Sequence, residues 1–224
     1  MTVANELGNI SSTSFREQAA RAIRRAIFTG RIAPGVLYSV SALSGQLGVS
    51  ATPVREAMLD LVSEGLVVAV RSRGYRVADL TPQDLDHILR LRVLLEVPTS
   101  GEIAESRNDD DLPRLLELAA RLPDLAGSGD YETYLENDQE FHLGLLALSG
   151  NPRLVSIVEK LRNQTRIFDV SKLAASGGLA GSAHEHLEIM EAIKDRDRQR
   201  TEELVEHHIL RSRRAWPAEK AAGS

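Results

Sequence analysis

Eleven residues constrain this chain more than any others: Leu47-Gly48-Val49-Ser50-Ala51-Thr52-Pro53-Val54-Arg55-Glu56-Ala57. Gly48 permits the left-handed backbone of a tight turn between two helices. Ser50 is placed to cap the second helix by accepting from its free amides, and Pro53 is tolerated where first-turn N–H groups have no helical partner. Thr52 and Arg55 then project from the opening turns of that helix. In a helix-turn-helix this end enters the major groove, where an arginine grips O6 and N7 of guanine. The segment points to duplex DNA.

The flanking pattern extends that unit. Ser14 to Thr29 reads as a helix with Ala19, Ile23, Ala26 and Ile27 on one face, ended by Gly30, and Pro34-Gly35 turns the chain. Helices over Val40–Leu47 and about Ala51–Ser63 follow, then strands Val67–Val70 and Tyr75–Val77 around a hairpin tip, Arg71-Ser72-Arg73-Gly74. Three helices and a small hairpin make a winged helix-turn-helix, whose tip arginines suit phosphates or a narrow minor groove. Charge agrees with this division. Residues 1–78 carry nine arginines and no lysine against five acidic side chains, while the remainder carries 18 basic and 27 acidic ones. A basic module on an acidic body fits one part that meets the phosphate backbone and one that does not.

Thr81-Pro82 caps a new helix, which places a boundary between domains at 1–78 and 79–224. From there the pattern is helical, near 82–105, 109–124, 130–149, 152–172, 181–195 and 197–215, with breaks at sites such as 126–129, 149–152 and 175–178. The fold expected is mainly α: the winged module, then an antiparallel bundle of about six helices, then a frayed tail over Pro217–Ser224. No run of 18 or more apolar residues exists to span a membrane, and Met1 to Ser14 lacks the apolar core of a secretory signal. With no cysteine, disulfides and thiolate ligands are excluded. A cytoplasmic, nucleoid-associated protein is expected.

Helical phase sorts the polar residues of the bundle. Asp138 and His142 share a stripe with Leu135 and Leu145, His186 is in phase with Ile189, Met190 and Ile193, and His208 with Leu204, Val205 and Ile209. His184, His207 and His87 fall outside the inner faces. One carboxylate and three imidazoles on the inner faces of three helices form a candidate first shell for zinc foremost, with nickel and manganese also compatible. The other reading of the same spacing is four core polar groups, each satisfied by a local hydrogen bond. Arg92 shares an inner face with Leu85, Ile88, Leu89 and Glu96 and needs an anionic partner. Glu96, four residues on, is one; a carboxylate ligand gripped between Arg92 and a metal is the other.

These residues resemble the GntR family of bacterial transcription regulators, in the FadR-like branch with an all-helical FCD ligand-sensing domain. The front match includes Ala26-Ile27-x-x-Gly30-x-Ile32-x-Pro34-Gly35, Leu47-Gly48-Val49-Ser50, Thr52-Pro53-Val54-Arg55-Glu56-Ala57, Glu64-Gly65-Leu66-Val67 and Arg73-Gly74-Tyr75-x-Val77. The rear match is looser: Arg92-x-x-x-Glu96, Asp138-x-x-x-His142, Ser149-Gly150-Asn151, Glu185-His186-x-x-Ile189 and His208-Ile209. The resemblance implies Asp138, His142, His186 and His208 as metal ligands, a small carboxylate effector at Arg92, a homodimer and a palindromic operator. Candidate DNA contacts are Arg31, Ser50, Thr52, Arg55, Arg71, Arg73 and Gly74. Three departures stand out: Ala51 where the family carries arginine, and Ser39 and Ser44 where it carries glutamate and alanine.

The function expected is a ligand-controlled regulator, a repressor released by its effector, and not an enzyme. Two rivals share the same residues. A metalloenzyme would use an open coordination position to activate water on a small organic acid. An architectural DNA-binding protein would use the rear half only to dimerise.

Overall fold

The computed structural model describes residues 14–167 and 178–214. Helix α1 (Phe15–Phe28) opens with a capping box in which the Ser14 hydroxyl accepts from the Glu17 amide and the Glu17 carboxylate accepts from the Ser14 amide. Its inner face buries Ala19, Ile23 and Ile27 against α3 (Ala51–Ser63), which contributes Val54, Ala57, Met58 and Leu61. Between them α2 (Val40–Leu47) is capped by Ser39 and stopped by Gly48, whose φ of 66° is the left-handed turn that the sequence requires.

At Ser50 the structure corrects an expectation. Its backbone is the extended N-cap of α3, but its side chain makes no capping hydrogen bond. Ser14 and Ser39 each cap the amide three residues on. From Ser50 that residue is Pro53, which has no N–H to give. The Ser50 hydroxyl is therefore left exposed at the mouth of the helix.

The wing is a three-stranded antiparallel sheet in which β3 (Gly74–Val77) lies between β2 (Val67–Val70) and β1 (Leu37–Tyr38). The two-residue β1 pairs Leu37 with Arg76 and Tyr38 with Tyr75, and is too short to leave a periodicity in the sequence. At Gly74 φ is 127°, and a Cβ there would run into the Tyr38 carbonyl. Gly74 thus closes the sheet, whatever else it touches. Gly74→Ala is expected to destabilise the protein by about 1–3 kcal/mol, read as a lower urea midpoint at unchanged slope.

Six helices follow among the described residues: α4 (Pro82–Ser106), α5 (Leu112–Ser128), α6 (Tyr131–Ala147), α7 (Pro152–Thr165), α8 (Gly178–Lys194) and α9 (Arg198–Arg214). Thr81 and Asp84 form the capping box of α4. The expected start of α5 at 109 is instead a 3-10 turn, Asp109–Asp111, and the helix runs on to Ser128 through Pro123. Gly178, read as part of a break, is the first residue of α8. The expected stretch 168–172, the rest of that break and the tail from Pro217 lie outside the described residues. The bundle core gathers Leu85, Leu118, Phe141, Ile189, Met190 and Ile193 from four helices. No helix among the described residues is long and apolar enough to cross a membrane.

Candidate metal centre and nucleic-acid interface

The four residues selected by helical phase meet. Asp138 and His142 lie one turn apart on α6, His186 on α8 and His208 on α9, all buried, and one ligand atom from each falls within 4.8 Å of the others. His142 Nε2 lies 2.9 Å from His186 Nε2 and 3.1 Å from His208 Nε2. Asp138 Oδ1 lies 3.1 Å from His186 Nε2 and 3.5 Å from His142 Nε2.

The far side of two rings fixes their protonation. His186 Nδ1 faces the Ala183 carbonyl at 3.2 Å, and His208 Nδ1 faces the Glu185 carboxylate at 2.9 Å. Both partners only accept, so each Nδ1 carries a proton, and in the neutral ring Nε2 then presents a lone pair. His142 Nε2 has one proton at most to give, and three acceptors around it. Lone pairs aimed at one another in a buried site are unfavourable unless a cation lies between them. Orientation of ligand imidazoles through Nδ1 by a carbonyl and a carboxylate is the usual support for metal-binding histidines. The donor set, three imidazole nitrogens and one carboxylate oxygen, can hold a metal ion.

Charge around the cluster is dense. Burial pushes the Asp138 carboxyl up, but His142 and Arg166 outweigh it and hold the group well below the ordinary carboxylate range. Burial drives His208 down to about 4 against its bond to Glu185. His142 is held well below the ordinary imidazole range by burial and by Arg162. At neutral pH these two rings are uncharged.

Arg92 meets the first of its two anticipated partners: its Nε donates to Glu96 Oε1 at 2.6 Å. The sequence reading missed what completes this network. Arg162 on α7 donates to Glu96 Oε2 at 3.2 Å and to Asp138 Oδ2 at 3.1 Å, and Arg166 also donates to Asp138 Oδ2. Burial and neighbouring Arg92 lower Arg162 to about 10. Three guanidiniums thus face two carboxylates beside the histidines. Arg162 is i+4 from buried Val158, the same phase signal that selected Arg92. Glu185 was missed because it sits one residue off the His186 stripe, and its partners His208 and Arg211 come from α9.

On the winged module Arg55, Arg71 and Arg73 line one surface groove together with Val40, Ser72 and Gly74. The recognition-helix arginine and both wing-tip arginines therefore share a face, all exposed. Thr52 and Ser50 are exposed at the start of α3, outside the groove's lining. Arg31 lies beyond α1 with its Nε donating to Thr29 Oγ1 at 3.1 Å.

Comparison with known proteins agrees with both halves. Residues 15–77 match the bacterial regulatory proteins of the gntR family, and residues 87–211 match the FCD domain. The chain is 30% identical over 154 residues to the HTH-type transcriptional regulator McbR of Escherichia coli (strain K12), covering 69% of this chain and 70% of that protein. It is 27% identical over 198 residues to the HTH-type transcriptional repressor GlaR of the same organism, covering 85% and 90%. The solved structure of E. coli McbR/YncC superposes with a TM-score of 0.75 at 25% identity, over 89% of this chain and 95% of that one. These relatives are regulators of transcription, and the metalloenzyme alternative is set aside. A winged module with arginines on one face, joined to an FCD bundle, is the arrangement of a DNA-binding regulator: the chain belongs to the GntR family of bacterial transcriptional regulators.

Proposed function

We propose that this protein is a repressor that binds a palindromic operator as a homodimer and lets go when a small carboxylate enters the bundle. In this reading residues 1–78 bind DNA, residues 79–224 sense and dimerise, and the protein works on the nucleoid in the cytoplasm. The observation that carries the proposal is the convergence of His142, His186 and His208 through Nε2 upon Asp138, with Arg92 and Arg162 alongside. These four residues are the proposed metal ligands. Zinc fits three imidazoles and a carboxylate best, and nickel and manganese are compatible with the same donors.

A bound divalent ion supplies a Lewis-acidic anchor for one oxygen of a carboxylate. The chain supplies the rest. Asp138, paired through Oδ2 with Arg162 and Arg166, stays ionised, and neutral His142 and His208 are free to offer lone pairs. Arg92 is the proposed effector contact, giving up part of its pairing with Glu96 to a ligand carboxylate in a bidentate contact. Such a ligand regulates only by preferring one arrangement of the DNA-binding modules.

On DNA, Arg55 and Thr52 are the proposed base-reading pair, Arg71 and Arg73 bind phosphate from the wing, and Arg31, exposed Ser50 and Gly74 lie against the backbone. Ala51 cannot make the contact that an arginine makes in relatives, so specificity rests more heavily on Arg55. Genomic footprinting with purified dimer tests this. Arg55→Ala is expected to lose about 1–3 kcal/mol at one base pair of each half-site and to relax the preference there. Arg73→Ala is expected to weaken all sequences alike and to flatten the salt dependence by about one unit of slope. His142→Ala and His186→Ala that leave metal content, ligand response and operator affinity all unaltered would favour the purely architectural rear half and overturn the proposal.

A further inference from the structure

The last turn of α7 and the two residues that follow it have two working faces. Arg162 and Arg166, one turn apart, point at Asp138, while Asn163, Gln164 and Ile167 point the other way, into the winged module. Asn163 Nδ2 donates to Glu64 Oε2 at 3.4 Å, and Gln164 Nε2 donates to the Glu64 carbonyl at 3.2 Å. Glu64 is the C-cap of recognition helix α3 and is also gripped by Arg24 of α1. Gln164 lies so close to Gly65 that a Cβ there would collide with it. Ile167 is 1% exposed and belongs to the hydrophobic core of the winged module, among Ile23, Leu61 and Leu66.

We propose that residues 162–167 are the positioning element through which the state of the Asp138 centre reaches the recognition helix. This rests on the reading of that centre as a metal and ligand site. Asp138 divides its oxygens: Oδ1 faces the histidines and Oδ2 takes both arginines. A cation drawing on Oδ1 weakens the hold of Oδ2 on Arg162 and Arg166. Both are anchored in the same helical turn that holds Glu64, so a shift of that turn moves the end of α3. Another bridge between the modules, Arg25 to Glu132 and Glu136, joins partly exposed side chains on the rim, where salt screens it. The α7 contacts to Glu64 are part-buried and rest on buried Asn163 and Ile167, and they carry the signal instead.

Hydrogen exchange on the full-length, chelator-stripped protein, with and without zinc ion alone, tests this. In wild type, zinc is expected to protect α6 and α8 and to alter exchange at the end of α3 by about fivefold or more. Gln164→Met keeps the length but loses the donor, and Ile167→Ala vacates the core. In both, protection of α6 and α8 is expected to persist while the change at α3 falls to within about twofold of none. Ile167→Val and Arg25→Ala are expected to respond as wild type. Should Ile167→Ala unfold the winged module, Gln164→Met alone decides. An α3 response retained in Gln164→Met overturns the inference, as does a wild type whose α6 and α8 respond while α3 does not. A wild type in which zinc protects nothing overturns the metal reading itself, and this inference with it.

Discussion

Asp138→Ala is expected to destabilise the chelator-stripped protein by about 3–5 kcal/mol, the largest stability loss of any single change in the bundle. The reason is what it leaves behind. Arg162 is 4% exposed and its guanidinium is shared between Glu96 and Asp138, while Arg166 divides its own between Asp138 and Gln139. Removing the carboxylate leaves buried Arg92 and Arg162 sharing Glu96 alone, and leaves Arg166 with Gln139. Asp138→Asn keeps the volume and one acceptor oxygen and is expected to lose less. Urea unfolding in excess chelator separates this effect from metal loss. At about 2–4 °C per kcal/mol for a chain of this size, the alanine variant should melt about 6–20 °C lower.

Zinc added to the stripped protein at about a thousandfold over its dissociation constant is expected to stabilise it by about 4 kcal/mol. His186→Ala should abolish that gain, since a fully buried ring held by Ala183 cannot be replaced by solvent. The pH dependence of the stripped protein follows from the same rings. An unfolded histidine protonates below about 6.5, whereas folded His208 resists until about 4. Between those values the unfolded chain binds more protons than the folded one, so stability falls as pH falls. His208 alone accounts for about 2 kcal/mol lost by pH 5, and His142 acts in the same direction. Thermal melts between pH 7.5 and 5, stripped and zinc-loaded, check both expectations. A stripped protein that gains stability on acidification would contradict the assignment of neutral imidazoles.

The winged module was legible because its constraints are local. Gly48 needs a positive φ, Gly30 and Pro34-Gly35 end α1 and turn the chain, and alternation marks β3. Ser50 misled because its capping partner and the helix-start proline are one residue: Pro53 cannot be both an N-terminal signal and a donor. The cluster of Asp138, His142, His186 and His208 was legible because inward polar residues on an amphipathic helix stand out against the apolar stripe. Arg162 carried that signal too, next to Val158. Arg166 did not, because it lies in the turn beyond α7 and reaches Asp138 only through the tertiary fold. Glu185 was hidden by adjacency, since its role as the partner of His208 Nδ1 depends on how α9 packs on α8.

Elemental analysis of untagged protein purified without chelator puts the question most directly. If three imidazole Nε2 atoms and the Asp138 carboxylate share a cation, wild type should carry about one divalent transition metal ion per chain and folded His208→Ala far less. Equal, near-zero metal in both proteins, after zinc is offered and excess removed, would contradict it.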